Sequence, residues 1–220
     1  MYKILLLLLT ITLCFSETIL IPEDFGTIQE GIDASVDGDT VLVAGGDYVE
    51  NLVLNKSIVL TSYAIYDNLD EWIIFDYYYF SRWVINNSHI ENTRIFGTNP
   101  DDPDYGSVIL INPDSDECIY PEIVGFTIAG GSGTVVLRDG NPVTLGGGIL
   151  ADVSDPYIHH NAFENNGSEE VYSGGASQLT SSAEDWSFDN RDNFNPRCDV
   201  QEFRLSDNLY EGNDAQYGNT

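Results

Sequence analysis

From Ile19 onward, apolar residues come in short runs cut by glycine, asparagine and aspartate, and one stretch has helical spacing. Ile28, Ile32 and Val36 fall at i, i+4 and i+8, which predicts a short helix with one apolar face, started by Thr27 or by Gly26 before it. Beyond the turn Asp37-Gly38-Asp39, the β-branched run Thr40 to Ala44 reads as a strand. A turn at Gly45-Gly46-Asp47 leads into Tyr48 to Leu54, and Asn55-Lys56 leads into Ser57 to Thr61. Strands of about five residues joined by turns of about two to five predict a strand-rich fold.

The pattern repeats further along. Pro121-Glu122-Ile123 with Ile128 matches Pro156-Tyr157-Ile158 with Phe163, displaced by 35, and Asn161-Ala162-Phe163-Glu164-Asn165-Asn166 matches Asn208-Leu209-Tyr210-Glu211-Gly212-Asn213, displaced by 47. The shared motif is N-x-[FY]-E-x-N. Unequal displacements predict stacked strand units of roughly two dozen residues with segments of varying length inserted between strands. Ile58, Leu60, Val108, Leu110, Ile123, Ile128, Ile158 and Phe163 are the predicted inward residues, since stacked units bury their apolar faces against one another. Asn166 and Asn213 are predicted at turns, where side-chain amides bond to the neighbouring unit and a left-handed backbone is tolerated.

These segments resemble the right-handed parallel β-helix, the pectin-lyase-like superfamily. Ile21 to Ser62 is similar to that family's N-terminal cap and first coil, with TIQEGIDA, DGDTVLV and GDYVEN in order. Gly146 to Asn166, GGGILADVSDPYIHHNAFENN, is similar to the repeats of large secreted and surface proteins of bacteria. The resemblance implies an all-β, right-handed parallel β-helix solenoid with a short N-terminal capping helix over residues 17–220, the N-terminal part of a longer β-helix being one form this could take. Residues 177–203, rich in polar and aromatic side chains, are expected to form an inserted loop.

The chain opens MYKILLLLLTITLCFS, with one cation at Lys3 and an apolar run from Ile4 to Phe15. That is the layout of a secretory signal peptide spanning residues 1–16, and the run is shorter than the roughly 20 residues a transmembrane helix needs. The expected location is therefore secreted or cell-surface, with no transmembrane segment after the leader is removed. Cys118 and Cys198 then remain, and in an oxidising compartment they either pair or stay free.

Charge narrows the partners. Thirty-six acidic residues against 8 basic ones give a formal charge of −28, which excludes nucleic acid as a partner bound through its phosphates. The same excess repels polyuronates. A hydrophobic share of 42% separates the chain from the disordered acidic class. Much of the acid falls in turns and loops, and two runs place oxygen ligands for calcium two residues apart. The first contains Asp101, Asp102 and Asp104; the second, which starts like an EF-hand loop, contains Asp114, Asp116 and Glu117. Solvated acidic loops account for the same pattern. His159 and His160, adjacent on a predicted strand, are expected on opposite faces and so unable to share one ion.

Residues 72–83 form an aromatic block in which Trp72, Tyr77, Tyr79 and Trp83 are candidates for stacking on sugar rings; aromatic packing within strands is the competing explanation. Gly46-Asp47-Tyr48-Val49-Glu50 is similar to a first-coil motif of pectin methylesterases, where its role is structural; counterparts of the later catalytic motifs of those enzymes are not found, and of the polygalacturonase sites Asp101-Asp102 is present while GHG and RIK are not. Two function classes follow. One is a non-catalytic β-helix domain for adhesion, structural display or contact with a neutral polysaccharide or cell-surface glycan. The other is a polysaccharide lyase, hydrolase or esterase of the same superfamily. The second requires two carboxylates, or a carboxylate and one of Arg94, Arg138, Arg191 or Arg204, converging in a groove on one parallel sheet.

Overall fold

The computed structural model describes residues 16–78, 81–98, 100–113, 118–138, 140–152, 154–180 and 204–216. Their strands are short, as the turn spacing predicts: β1 (Thr18–Ile21), β2 (Thr40–Val43), β3 (Gly46–Val49), β4 (Leu52–Leu54), β5 (Val59–Ser62), β6 (Ile73–Asp76), β7 (Arg82–Ile85), β8 (Thr93–Phe96), β9 (Ile109–Ile111) and β10 (Glu122–Val124). They continue as β11 (Thr127–Ala129), β12 (Thr134–Arg138), β13 (Asn141–Leu145), β14 (Ile149–Asp152), β15 (Tyr157–His159), β16 (Ala162–Glu164), β17 (Ser177–Thr180), β18 (Arg204–Ser206) and β19 (Leu209–Glu211). Two short helices, α1 (Ile28–Ala34) and α2 (Ser88–Asn92), complete the set with two 3-10 turns.

The fold is mostly β and built from parallel sheets, and among the described residues no sheet closes into a barrel. Sheet A runs β1-β2-β5-β10-β15-β18, sheet B runs β3-β8-β11-β16-β19 and sheet C runs β4-β9-β14-β17. From β2 onward the chain visits A, B and C in turn and then returns to A beside its previous pass, β1 adding one more strand at the edge of A. Two antiparallel hairpins are inserted within passes, β6-β7 between a sheet-A and a sheet-B strand and β12-β13 between a sheet-B and a sheet-C strand.

Register accounts for the core. In sheet A, Ile19, Val41, Leu60, Ile123 and Ile158 are direct cross-strand neighbours. In sheet B the corresponding row is Tyr48, Ile95, Ile128, Phe163 and Tyr210. With Leu52, Ile109 and Ile149 of sheet C, these rows meet in one apolar core. Seven of the eight predicted inward residues belong to it; Leu110 does not. Ile109 and Ile111 point inward, so strand alternation turns Leu110 to the opposite face, where Val136, Leu145 and Leu150 bury it beneath the β12-β13 hairpin.

Two asparagine ladders tie successive passes together at the corners flanking sheet B. The Asn166 side chain accepts from the Gly131 amide and donates to Ile128 O, and Asn213 repeats both bonds one pass later on Asn166 N and Phe163 O. Asn161 and Asn208 form the second ladder in the same way. Just before the second ladder, where the chain leaves sheet A for sheet B, Gly125, His160 and Asp207 hold the same left-handed corner in three passes, with φ of 88°, 52° and 52°.

The helix α1 lies over the first pass. Thr27 and Glu30 form a capping box at its start, and both Glu50 carboxylate oxygens accept from the amides of Ile28 and Gln29. Lys56 Nζ donates to the carbonyls of Ile32, Asp33 and Ser35 at its end, where orphan acceptors need a donor. Glu50, in the GDYVE segment, thus anchors the helix. Gly31 makes the close approach possible: a Cβ there would sit 2.7 Å from Ile21 Cδ1. Three expectations are corrected. The helix ends at Ala34, leaving Val36 exposed at 56%. The predicted run Tyr48 to Leu54 is broken at Glu50 and Asn51, where the chain turns from sheet B to sheet C. Ser177–Thr180, expected within an inserted loop, is β17 and pairs with β14; residues 181–203 lie outside the described residues.

Candidate functional site

The outward face of sheet B carries two rows. One consists of Asp47, Arg94, Thr127, Ala162 and Leu209; the other of Val49, Phe96, Ala129, Glu164 and Glu211. The segment between β5 and β8 folds back over this face. Trp72 and Ile90 pack on Ala64 and Ala162, with Leu69, Ile73, Ile85 and Leu209 around them, and Thr127 Oγ1 donates to Ile90 O at 2.9 Å. That second apolar cluster fixes the β6-β7 hairpin and α2 as a wall beside the sheet.

Between wall and sheet lies a cavity of about 420 Å³. The hairpin supplies Asp76, Arg82, Trp83, Val84 and Ile85, the helix Glu91, and the sheet Arg94, Thr127, Glu164, Leu209 and Glu211. A second, more open depression shares Glu91 and Arg94 and extends to Gly45, Gly46 and Asp47 on the first pass. The two together cross all five strands of sheet B, a reach of about 19 Å at the usual strand spacing.

Arg82 of the hairpin forms an ion pair with Glu211 of β19 across the groove. Both side chains are about half exposed, so the pair contributes little stability. Glu164 is the direct neighbour of Glu211 on the adjacent strand and forms no ion pair among the described residues. Arg94 lies over the Phe96 ring, 4.6 Å from its centroid, and its Nε is buried without a hydrogen-bond partner, a donor left unsatisfied at a cost of roughly 1–3 kcal/mol.

The predicted aromatic platform is divided by the fold. Trp72 is 3% exposed and belongs to the packing beneath the hairpin, because the strand that follows it has one face turned to the sheet. Trp83, at 51% exposure, lines the groove, while Tyr77 stands at 77%. Phe75 makes edge contacts with Tyr77 at 4.6 Å and with Trp83 at 5.5 Å between centroids. Tyr79 lies outside the described residues.

Of the calcium candidates, Asp101, Asp102 and Asp104 are exposed, and Asp102 accepts from the Asp104 amide as the cap of a 3-10 turn. Asp114, Asp116 and Glu117 lie outside the described residues. Among the described residues no group of three or more His, Cys, Asp or Glu is placed to hold a metal ion, and no helix is long and apolar enough to cross a membrane. Cys118 is disulfide-bonded; Cys198 and residues 1–15, on which most of the expected signal peptide 1–16 falls, are outside the described residues.

The two histidines overturn the expectation of opposite faces. His159 ends β15, but His160 sits in the left-handed corner, so alternation fails there and their Nδ1 atoms approach to 2.8 Å. His159 Nε2 lies 3.0 Å from Glu122 Oε1.

The groove acids Glu164 and Glu211 were not singled out from the sequence, although the signal was present: they are the glutamates of the two N-x-[FY]-E-x-N motifs, and the aromatic before each points inward. Asp76, Glu91 and Arg82 reach the site only through long-range packing. Compared with family models, curated proteins and solved structures, the chain matches none.

Proposed function

We propose that this chain is an exported, right-handed parallel β-helix solenoid of the pectin-lyase-like kind, and that its sheet-B groove binds a neutral polysaccharide laid across the strands. One observation carries the reading: a cavity of about 420 Å³ combines a half-exposed indole, Trp83, with carboxylates on both walls. Indole faces cover the apolar side of a sugar ring, and carboxylates accept from its hydroxyls. Asp47, Asp76, Glu91, Glu164 and Glu211 outnumber Arg82 and Arg94 in the groove, which disfavours a polyanion. The cyclic visit to three parallel sheets and the asparagine ladders support the solenoid.

A second reading, glycoside hydrolysis, is favoured by Glu164 and Glu211, direct neighbours on β16 and β19 that both line the groove. Adjacent strands stand about 4.8 Å apart, near the carboxylate spacing of about 5 Å used by retaining hydrolases. One glutamic acid would protonate the glycosidic oxygen as the C–O bond breaks, and the other carboxylate would take the anomeric carbon until water replaces it. Calorimetric titration with cello-, xylo- and arabino-oligosaccharides tests binding, and product chromatography tests cleavage. Binding lost in Trp83→Ala supports the groove; unchanged binding in that variant, or silence across the panel, sinks it. Cleavage abolished in Glu164→Gln with binding retained separates the enzyme from the binding domain.

A further inference from the structure

Two imidazoles meet outside the groove, against the back of its wall, with their Nδ1 atoms 2.8 Å apart. His159 is held on three sides: Tyr157 stacks on it at 4.1 Å between centroids, Glu122 accepts at Nε2, and His160 meets it at Nδ1. The His160 ring in turn packs against Trp72, 5.9 Å between centroids. Trp72 leads directly into β6, and its carbonyl accepts from the Asn86 amide just after β7. A change at His160 is therefore delivered to both ends of the hairpin that carries Asp76, Arg82 and Trp83.

Proton counting defines what the pair can do. With Glu122 taking the Nε2 proton of a neutral His159, Nδ1 of that ring is an acceptor, and His160 must donate its own Nδ1–H. One added proton fits on His160 Nε2 and leaves this bond intact. A second places hydrogens on both Nδ1 atoms, which then face each other as two cations 2.8 Å apart. We propose that His159 and His160 form a proton-sensitive wedge beneath the groove wall, which holds with at most one positive charge and separates on the second, releasing Trp72 and the β6-β7 hairpin.

The surroundings agree. Burial and the neighbouring His159 push the proton affinity of His160 down, while Asp207 of the next pass and Asp70 of the inserted segment pull it up by less. Glu122 and Tyr157 face the pair from β10 and β15. A histidine held below its ordinary value of about 6.5 binds more protons unfolded than folded. Neutral His160 therefore contributes a stability that is fully present above that value and lost as pH falls through the lower, folded one, while the separation of the two rings waits for the second proton.

This proposal does not depend on the glycan reading. Imidazole 15N NMR and hydrogen-exchange mass spectrometry of the full chain, taken from about pH 8 to 4.5, test it. Exchange of residues 73–85, corrected for its intrinsic pH dependence, should accelerate by roughly tenfold per pH unit once the second proton binds, while residues 122–129 stay protected. His160→Asn keeps a residue suited to the left-handed corner, as Asn165 does at φ 52°, and should flatten the response; His159→Gln, which cannot carry charge, should do the same. Exchange in 73–85 that stays flat in the native chain, or that responds fully in either folded variant, overturns the proposal. If neither variant folds, the native titration alone decides.

Discussion

The two faces of sheet B are held by different physics. On the inner face, Ile95, Ile128, Phe163 and Tyr210 stack in register, Phe163 and Tyr210 nearly parallel at 5.2 Å and 12°, and the asparagine ladders fix each pass on the one before. On the outer face, a small cluster around Trp72 and one exposed ion pair hold a hairpin in place. The inner face makes identical contacts again and again; the outer face makes each of its contacts once. Recurrence gives the inside its stability, and its absence outside leaves room for a cavity.

The contrast is broken most severely by Phe163→Ala. The side chain is fully buried, so its loss should lower unfolding free energy by about 3–5 kcal/mol, measured by urea denaturation; a loss below about 1 kcal/mol would contradict its place in the core. Asn166→Ala comes next. It strands the Gly131 amide and the Ile128 carbonyl, and about 1–3 kcal/mol should disappear, with exchange at Gly131 rising first.

A smaller effect sharpens the outer side. Hydrogen bonds from His89 and Asn87 hold the Asp67 carboxyl below the ordinary carboxylate range. A depressed carboxylate stabilises the fold above its unfolded value, near 3.9, and loses that contribution as pH falls through the folded one. Asp67→Asn should therefore flatten the acid limb of a thermal-melting profile, and an unaltered limb would count against the coupling. Smallest of all is Arg82→Ala: removing a half-exposed ion pair should change global stability by about 0–1 kcal/mol. Exchange across 73–85 should nevertheless rise, and equal protection in variant and parent would show that the latch does not hold the wall.

Legibility in the sequence followed the same division. The displacements of 35 and 47 between repeats are the registers of the sheets themselves: Ile123 lies beside Ile158, Ile128 beside Phe163, and Phe163 beside Tyr210. A parallel sheet that stacks like on like prints its register as a repeat. The groove left no such trace on its hairpin side, because Arg82 and Glu211 meet across 129 positions and nothing near Arg82 specifies the partner. Trp72 and Trp83 look alike in a list of aromatics; only the packing of Ile90 and Ala162 decides that one is buried and the other faces the groove. His160 was misplaced because strand alternation ends at a corner, and the corner is set by its neighbours Gly125 and Asp207.

The insertion between β5 and β8 has a further consequence for how such a molecule can change. Tyr63 to Asn92 enter and leave at one corner, and β5 and β8 remain paired with the passes on either side. Lengthening a connection costs chain entropy only logarithmically. The corner therefore works as a socket, in which a different hairpin could be seated over the same sheet and alter what the groove accepts without renegotiating the stack beneath it.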